Sequence, residues 1–142
     1  MTLDQKEIKK ILPHRDPMLL VDRVTAMDEE TITAEFYVSP DREIFRGHFP
    51  GSPVFPGVYT IEVLAQTCNI LILTRPCYAG KEPLFMGVDR ARFLRRIFPG
   101  DTLAIRARID SERPDQGIVK CCGEISVGET EVFRGEVTLA MR

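Results

Sequence analysis

At 142 residues, 44% of them hydrophobic and 28% charged, the chain is long enough to bury a real core as one domain over 1–142, and its composition excludes disorder and low complexity. A formal net charge of -2 argues against a general nucleic-acid binder, and no internal repeat is apparent. The start, MTLDQKEIKK, lacks the apolar core of a signal peptide, and the most apolar stretch is interrupted by Glu62, Gln66 and Asn69, so a soluble cytoplasmic protein with no membrane contact is expected. Cys68, Cys77, Cys121 and Cys122 show no C-x-x-C spacing, and only His14 and His48 could join them. Reduced, mostly buried thiols are expected, with no metal and no structural disulfide.

In chain order, Thr2-Leu3-Asp4-Gln5 fits a capping box, and Leu3, Ile8, Ile11 and Leu12 put apolar groups on one side of a short helix that Pro13 should end. In PHRDPMLLVDRV, His14 and Arg15 sit between two prolines. A lone histidine in such a turn is usually structural, and His14 is not taken as a catalyst. From Thr31 the chain alternates, with Ile32, Ala34, Phe36 and Val38 on one face, which predicts a half-buried strand paired with the one before Asp28-Glu29-Glu30. FRGHFPGSPVFPG, residues 45–57, holds three prolines and three glycines and reads as a rigid, shaped loop in which an X-Pro bond could be cis. His48 lies in its middle.

PGVYTIEVLAQTCNILILT, Pro56 to Thr74, reads as one helix that is apolar on nearly every side, Val58 and Ile61 included, and so enclosed by other structure. Glu62 and Gln66, four apart, share one face of it. A carboxyl there is costly unless paired, hydrogen-bonded or protonated, which makes Glu62 a functional candidate. Pro56-Gly57 leaves the first helical N–H groups free, and with no side chain at Gly57 a ligand oxygen can approach those donors where the helix dipole favours negative charge. Glu62 follows about 7.5 Å along the axis, so one substrate could meet both donor and carboxyl. His48, in a stiff loop leading straight to this helix, would complete an acid/base pair with Glu62.

After the helix, PLFMGVDRARFLRRIF reads as a long extended segment whose Arg90, Arg92, Arg95 and Arg96 are either solvated sheet edge or a docking patch for an acidic partner. Pro99-Gly100-Asp101, Pro114-Asp115-Gln116-Gly117 and Gly128-Glu129 are turns between alternating strands. Leu103, Ile105, Ala107 and Ile109 face in, then Val119, Cys121, Gly123, Ile125 and Val127, and finally Phe133, Val137, Leu139 and Met141, with Val132 facing out. Five or six antiparallel strands and one long apolar helix predict an α+β domain whose sheet curls around the helix.

At HRDPMLLVDRV, GHFPGSPVFPGVYTIEVLAQ and FLRRIFPGD the chain closely resembles the beta-hydroxyacyl-acyl carrier protein dehydratases of dissociated, bacterial-type fatty acid synthesis, from His14 to the final strand. The resemblance implies a hotdog fold and a homodimer with each active site at the subunit interface, commonly assembled further as a trimer of dimers. It implies that His48 takes the proton alpha to the thioester while Glu62 of the other subunit helps the beta-hydroxyl leave as water. Gly57 and Val58 would supply oxyanion contacts, Gln66 would orient Glu62 or its bound water, and the substrate would ride on acyl carrier protein, with Arg95 and Arg96 foremost in the contact and Arg90 and Arg92 behind them. No cofactor is implied, because dehydration beside a thioester needs only proton transfers. Arg96 stands where many relatives have proline, Thr67-Cys68-Asn69 replaces a small-residue run, and Phe85 lies near the place of a tyrosine that gates the tunnel in relatives. A hotdog thioesterase would also need Gly57 and Glu62, and a noncatalytic acyl-thioester binder would have no use for the pair. His48 in GHFPG favours dehydration over both.

Overall fold

Proline has a fixed φ and no backbone N–H to lose, which suits the start of a helix. In the computed structural model, which describes residues 1–142, Pro56 caps helix α2 (Gly57–Leu73) and Thr74 ends it. From Val63 to Leu73 every residue is buried, Gln66 and Asn69 included. The first turn differs from the fully enclosed helix expected, since Val58 is 70% exposed and Ile61 only half-buried. The wrap of other elements covers the later turns and leaves the helix start open.

The short helix α1 (Gln5–Ile11) is capped by Asp4 with Glu7, two residues later than the expected Thr2-to-Gln5 box. Leu3 explains the shift: its N–H and carbonyl pair with Val24 at 3.0 and 2.9 Å, which keeps residues 2–3 extended. Leu12, in extended conformation before Pro13, stops the helix as a residue preceding proline should.

Six strands form one antiparallel sheet: β1 (Arg23–Met27), β2 (Thr31–Tyr37), β3 (Pro83–Phe93), β4 (Thr102–Arg113), β5 (Ile118–Val127) and β6 (Thr130–Met141), in spatial order β1-β2-β4-β5-β6-β3. The β1–β2 hairpin and the β4–β5–β6 meander form as expected. The inward rows of β2, β4, β5 and β6 pack on α2, giving the hotdog wrap. Gly123 lets the helix come close, because a Cβ there would lie 2.5 Å from the Leu64 methyl and 2.7 Å from the Arg106 carbonyl oxygen.

Two details of burial depart from simple alternation. Val132, expected to face out, is buried: the chain after β3 folds back on it, with Leu94 N–H donating to its carbonyl at 2.9 Å. Strand β3 lies at the sheet edge and pairs only with β6, leaving Leu84, Phe85, Met86 and Val88 exposed. Its register breaks between Asp89 and Arg92, where Arg90 takes a φ of 51°. All four cysteines are free thiols; Cys68 and Cys121 are buried, Cys122 is half-buried and Cys77 is exposed. No helix is long and apolar enough to cross a membrane.

Candidate active site

Glu62 stands in the second turn of α2, and Gln66, one turn later, reaches back to it as i,i+4 geometry permits. Gln66 Nε2 donates to Glu62 Oε2 at 2.7 Å and to the Met18 carbonyl at 2.7 Å, while Gln66 Oε1 accepts from Leu20 N–H at 2.7 Å. These bonds allow one amide orientation only, since the reverse would set Oε1 against two acceptors and Nε2 against a donor. Gln66 is therefore a fixed donor to Oε2, and any proton on the Glu62 carboxyl belongs on Oε1. The turn that ends at Met18, with Leu20 just beyond it, supplies the backbone that makes this so.

His48 is held by its own loop. Its Nδ1 lies 2.7 Å from the Val54 carbonyl oxygen, and Val54 N–H donates to the His48 carbonyl at 3.1 Å. A carbonyl can only accept, so Nδ1 carries the ring proton and Nε2 of the neutral ring keeps its lone pair. The ring stacks on Phe49 with centroids 3.9 Å apart. The cis bonds of this chain are His48–Phe49 and Asp16–Pro17, and the X-Pro bonds of the 45–57 loop are trans.

A cavity of about 420 Å³ opens beside His48 and is also lined by Gly57, Thr60, Phe93, Arg95 and Arg96. Gly57 is the first helical residue, and neither its N–H nor that of Val58 has a backbone acceptor. A Cβ on Gly57 would come within 2.9 Å of the Phe93 ring, so glycine is what lets this ring lie over the helix start. The cavity thus joins a histidine with a free Nε2 to free helix N-terminal donors. A larger hollow of about 610 Å³ lies on the outer face of the sheet among Arg106, Arg108, Glu124 and Glu136, away from His48, Gly57 and Glu62.

Within one chain, Glu62 and Gln66 come together, as do His48 and Gly57, but Glu62 and His48 make no direct contact. Phe85 is 42% exposed on β3 and does not line the His48 cavity; Phe93 does. The arginine cluster divides. Arg90 is paired with Glu136 at 3.0 Å on the outer face, Arg92 and Arg95 bond backbone carbonyls, and Arg95 and Arg96 stand at the cavity rim without a carboxylate partner.

Sequence reasoning passed over His14. Its Nε2 lies 3.6 Å from Glu62 Oε2, with both side chains less than a fifth exposed. Burial pushes the ring's pKa below its ordinary 6.5, with Glu62 opposing and Arg15 adding to the fall. No spacing in the sequence links residue 14 to residue 62. The two prolines around His14 are the only local sign that its place is held.

A wrapped helix with an embedded carboxyl, and a histidine-lined cavity at the helix start, define a hotdog domain with a candidate site of acid/base type. The FabA-like domain family model matches residues 12–136. A curated relative from Desulforamulus reducens, named 3-hydroxyacyl-acyl-carrier-protein dehydratase FabZ, is 43% identical over 140 residues, 98% of this chain and 97% of that one. The protein of that name from Pelotomaculum thermopropionicum is 41% identical over 141 residues, 99% of each chain. The chain belongs to the FabA-like family, among its FabZ-type dehydratases. Among solved structures, the dehydratase heterocomplex ApeI:P from Xenorhabdus doucetiae is similar with a TM-score of 0.80 at 20% identity, covering 95% of this chain and 90% of that one. A hypothetical thioesterase with coenzyme A from Streptococcus pneumoniae has a TM-score of 0.62 at 11% identity over 84% of each chain. At such identities the likeness is one of fold alone.

Proposed function

We propose that this protein is a hydro-lyase that removes water from a (3R)-3-hydroxyacyl chain carried as a thioester on acyl carrier protein, leaving the trans-2-enoyl thioester, in cytoplasmic type II fatty acid synthesis. The observation that carries the reading is the His48 tautomer: the Val54 carbonyl holds the proton on Nδ1, so Nε2 is a ready base beside the free N–H groups of Gly57 and Val58. The proton alpha to a thioester becomes acidic only when charge on the thioester oxygen is stabilised, and helix N-terminal donors suit that task. His48 Nε2 takes this proton. The C–O bond at the beta carbon then breaks, and the departing hydroxyl takes the proton of Glu62 Oε1 to leave as water. Proton transfers complete the reaction, and no cofactor is called for.

His48 and Glu62 lie apart within one chain, and the reading pairs each with its counterpart from a second copy. Support for a homodimer comes from β3, an edge strand with Leu84, Phe85, Met86 and Val88 exposed, which a second copy would cover. Phe85, on that edge, would then reach the partner's tunnel as its gate. Further assembly into a trimer of dimers belongs to the same reading. Carrier-protein docking centres on Arg95 and Arg96, the cavity-rim arginines left without carboxylates, whereas Arg90 is already paired with Glu136.

The test follows a trans-2-enoyl thioester, free and carrier-linked, by loss of its conjugated absorbance, with free thiol assayed in parallel. Absorbance loss without thiol release, removed by His48→Ala and by Glu62→Gln, is expected. Thiol release would replace this reading with a thioesterase, and silence in both signals with a noncatalytic binder. Charge reversal at Arg95 and Arg96 is expected to slow carrier-linked turnover and spare the free thioester.

A further inference from the structure

His14 has no task in that reaction, yet its ring lies against the Glu62 carboxyl. A neutral imidazole has one N–H to place. Its Nδ1 is buried and has no hydrogen-bond partner in the protein, whereas its Nε2 faces Glu62 Oε2 at 3.6 Å. A buried N–H without an acceptor is costly, so the proton belongs on Nε2. His14 and His48 are thereby set as opposite tautomers, one a donor toward the acid and the other a base. At 3.6 Å the His14 contact is just beyond a hydrogen bond, and a side-chain adjustment of about 0.5 Å would close it. The oxygen it faces is the one that Gln66 already holds.

We propose that His14 is a positioning residue for the acid: with Gln66 it claims Glu62 Oε2, keeps the deliverable proton on Oε1, and holds the carboxylate charge once that proton has joined the departing hydroxyl. The inference rests on the dehydratase reading of the same site. Neutrality matters to the role, because a charged ring would hold Glu62 as carboxylate and remove the acid. The charged groups that act on the ring are Glu62 from α2 and Arg15 beside it, and burial together with Arg15 keeps it neutral at pH 7.

The experiment measures kcat and KM across pH for the full chain and for His14→Leu and His14→Gln, the glutamine restoring an N–H near the position of Nε2. His14→Leu is expected to lower kcat about tenfold with KM nearly unchanged, and to move the alkaline limb of kcat to higher pH, since the carboxylate has lost a donor. His14→Gln is expected to recover most of both. Equal losses in the two variants, with the limb unmoved, would reduce His14 to a space-filler and overturn the proposal. A second measurement leaves residue 14 intact: the His14 ring is titrated by NMR in wild type and in Glu62→Gln. A lower midpoint in the variant is expected, because the carboxylate is what raises the ring's proton affinity, and an unchanged midpoint also overturns the proposal. An inactive wild type, or a fully active Glu62→Gln, defeats the dehydratase reading itself. A wild type that turns over, a dead Glu62→Gln and an unaltered His14→Leu defeat the role of His14 alone.

Discussion

Gln66 shows how one buried amide can set the chemistry of its neighbour. Its bonds to Met18, Leu20 and Glu62 leave no freedom of orientation, and Oε1 of Glu62 is the oxygen left to carry a proton in the proposed reaction. Gln66→Leu strands the buried Leu20 N–H and leaves the part-buried Met18 carbonyl without its donor, with an expected loss of about 2–4 kcal/mol. Thermal denaturation should show this as a drop of about 5–15 °C in Tm, with kcat falling as well. His48→Ala removes the proposed base and is expected to lower kcat by about 100- to 10,000-fold without a change in Tm comparable to that of Gln66→Leu. His14 sets a pH dependence of stability. Its folded pKa is depressed below 6.5, so the unfolded chain binds more protons in that range and stability falls as pH drops from about 6.5 toward the folded value. Denaturant midpoints measured from pH 7.5 down to 5 should show this acid slope in wild type and a shallower one in His14→Gln.

At the scale of elements, α2 carries two glycine-dependent contacts with different consequences. Gly57 faces the Phe93 ring, which is half-exposed and can swing away, so Gly57→Ala is expected to cost less than about 1 kcal/mol of stability. The methyl would crowd the free N–H groups at the helix start, and kcat should fall at least tenfold for that reason. Gly123 faces the Leu64 side chain and the Arg106 carbonyl, backbone that cannot yield, so Gly123→Ala should cost about 1–3 kcal/mol through displacement of helix from sheet. Comparing Tm with kcat for the two variants separates a contact that positions the site from one that positions the helix.

At the scale of the molecule, the sheet ends on one side in β1, bridged to Leu3, and on the other in β3, whose apolar residues have no cover within the chain. A charge at the middle of that edge should weaken pairing between copies. Met86→Lys is expected to shift the mass seen by light scattering toward the monomer and to lower turnover in parallel, although His48 and Glu62 are untouched. Dimers that persist at full activity would place the interface elsewhere.

Much of this protein was legible in residue order. The strand faces followed from alternation, α2 from its apolar length after Pro56, and the candidates His48, Glu62, Gly57 and Gln66 from residue chemistry and from motifs shared with a family. These are properties of neighbours a few residues apart, for which backbone periodicity is enough. The cap of α1 slipped by two residues and Val132 turned inward because the deciding contacts, Leu3 with Val24 and Leu94 with Val132, come from distant segments. Tertiary structure alone set His14 against Glu62, chose the tautomer of each histidine, split the arginines between two faces and kept His48 from Glu62 within one chain. Each of these depends on packing between segments far apart in sequence, and no local pattern encodes such a distance.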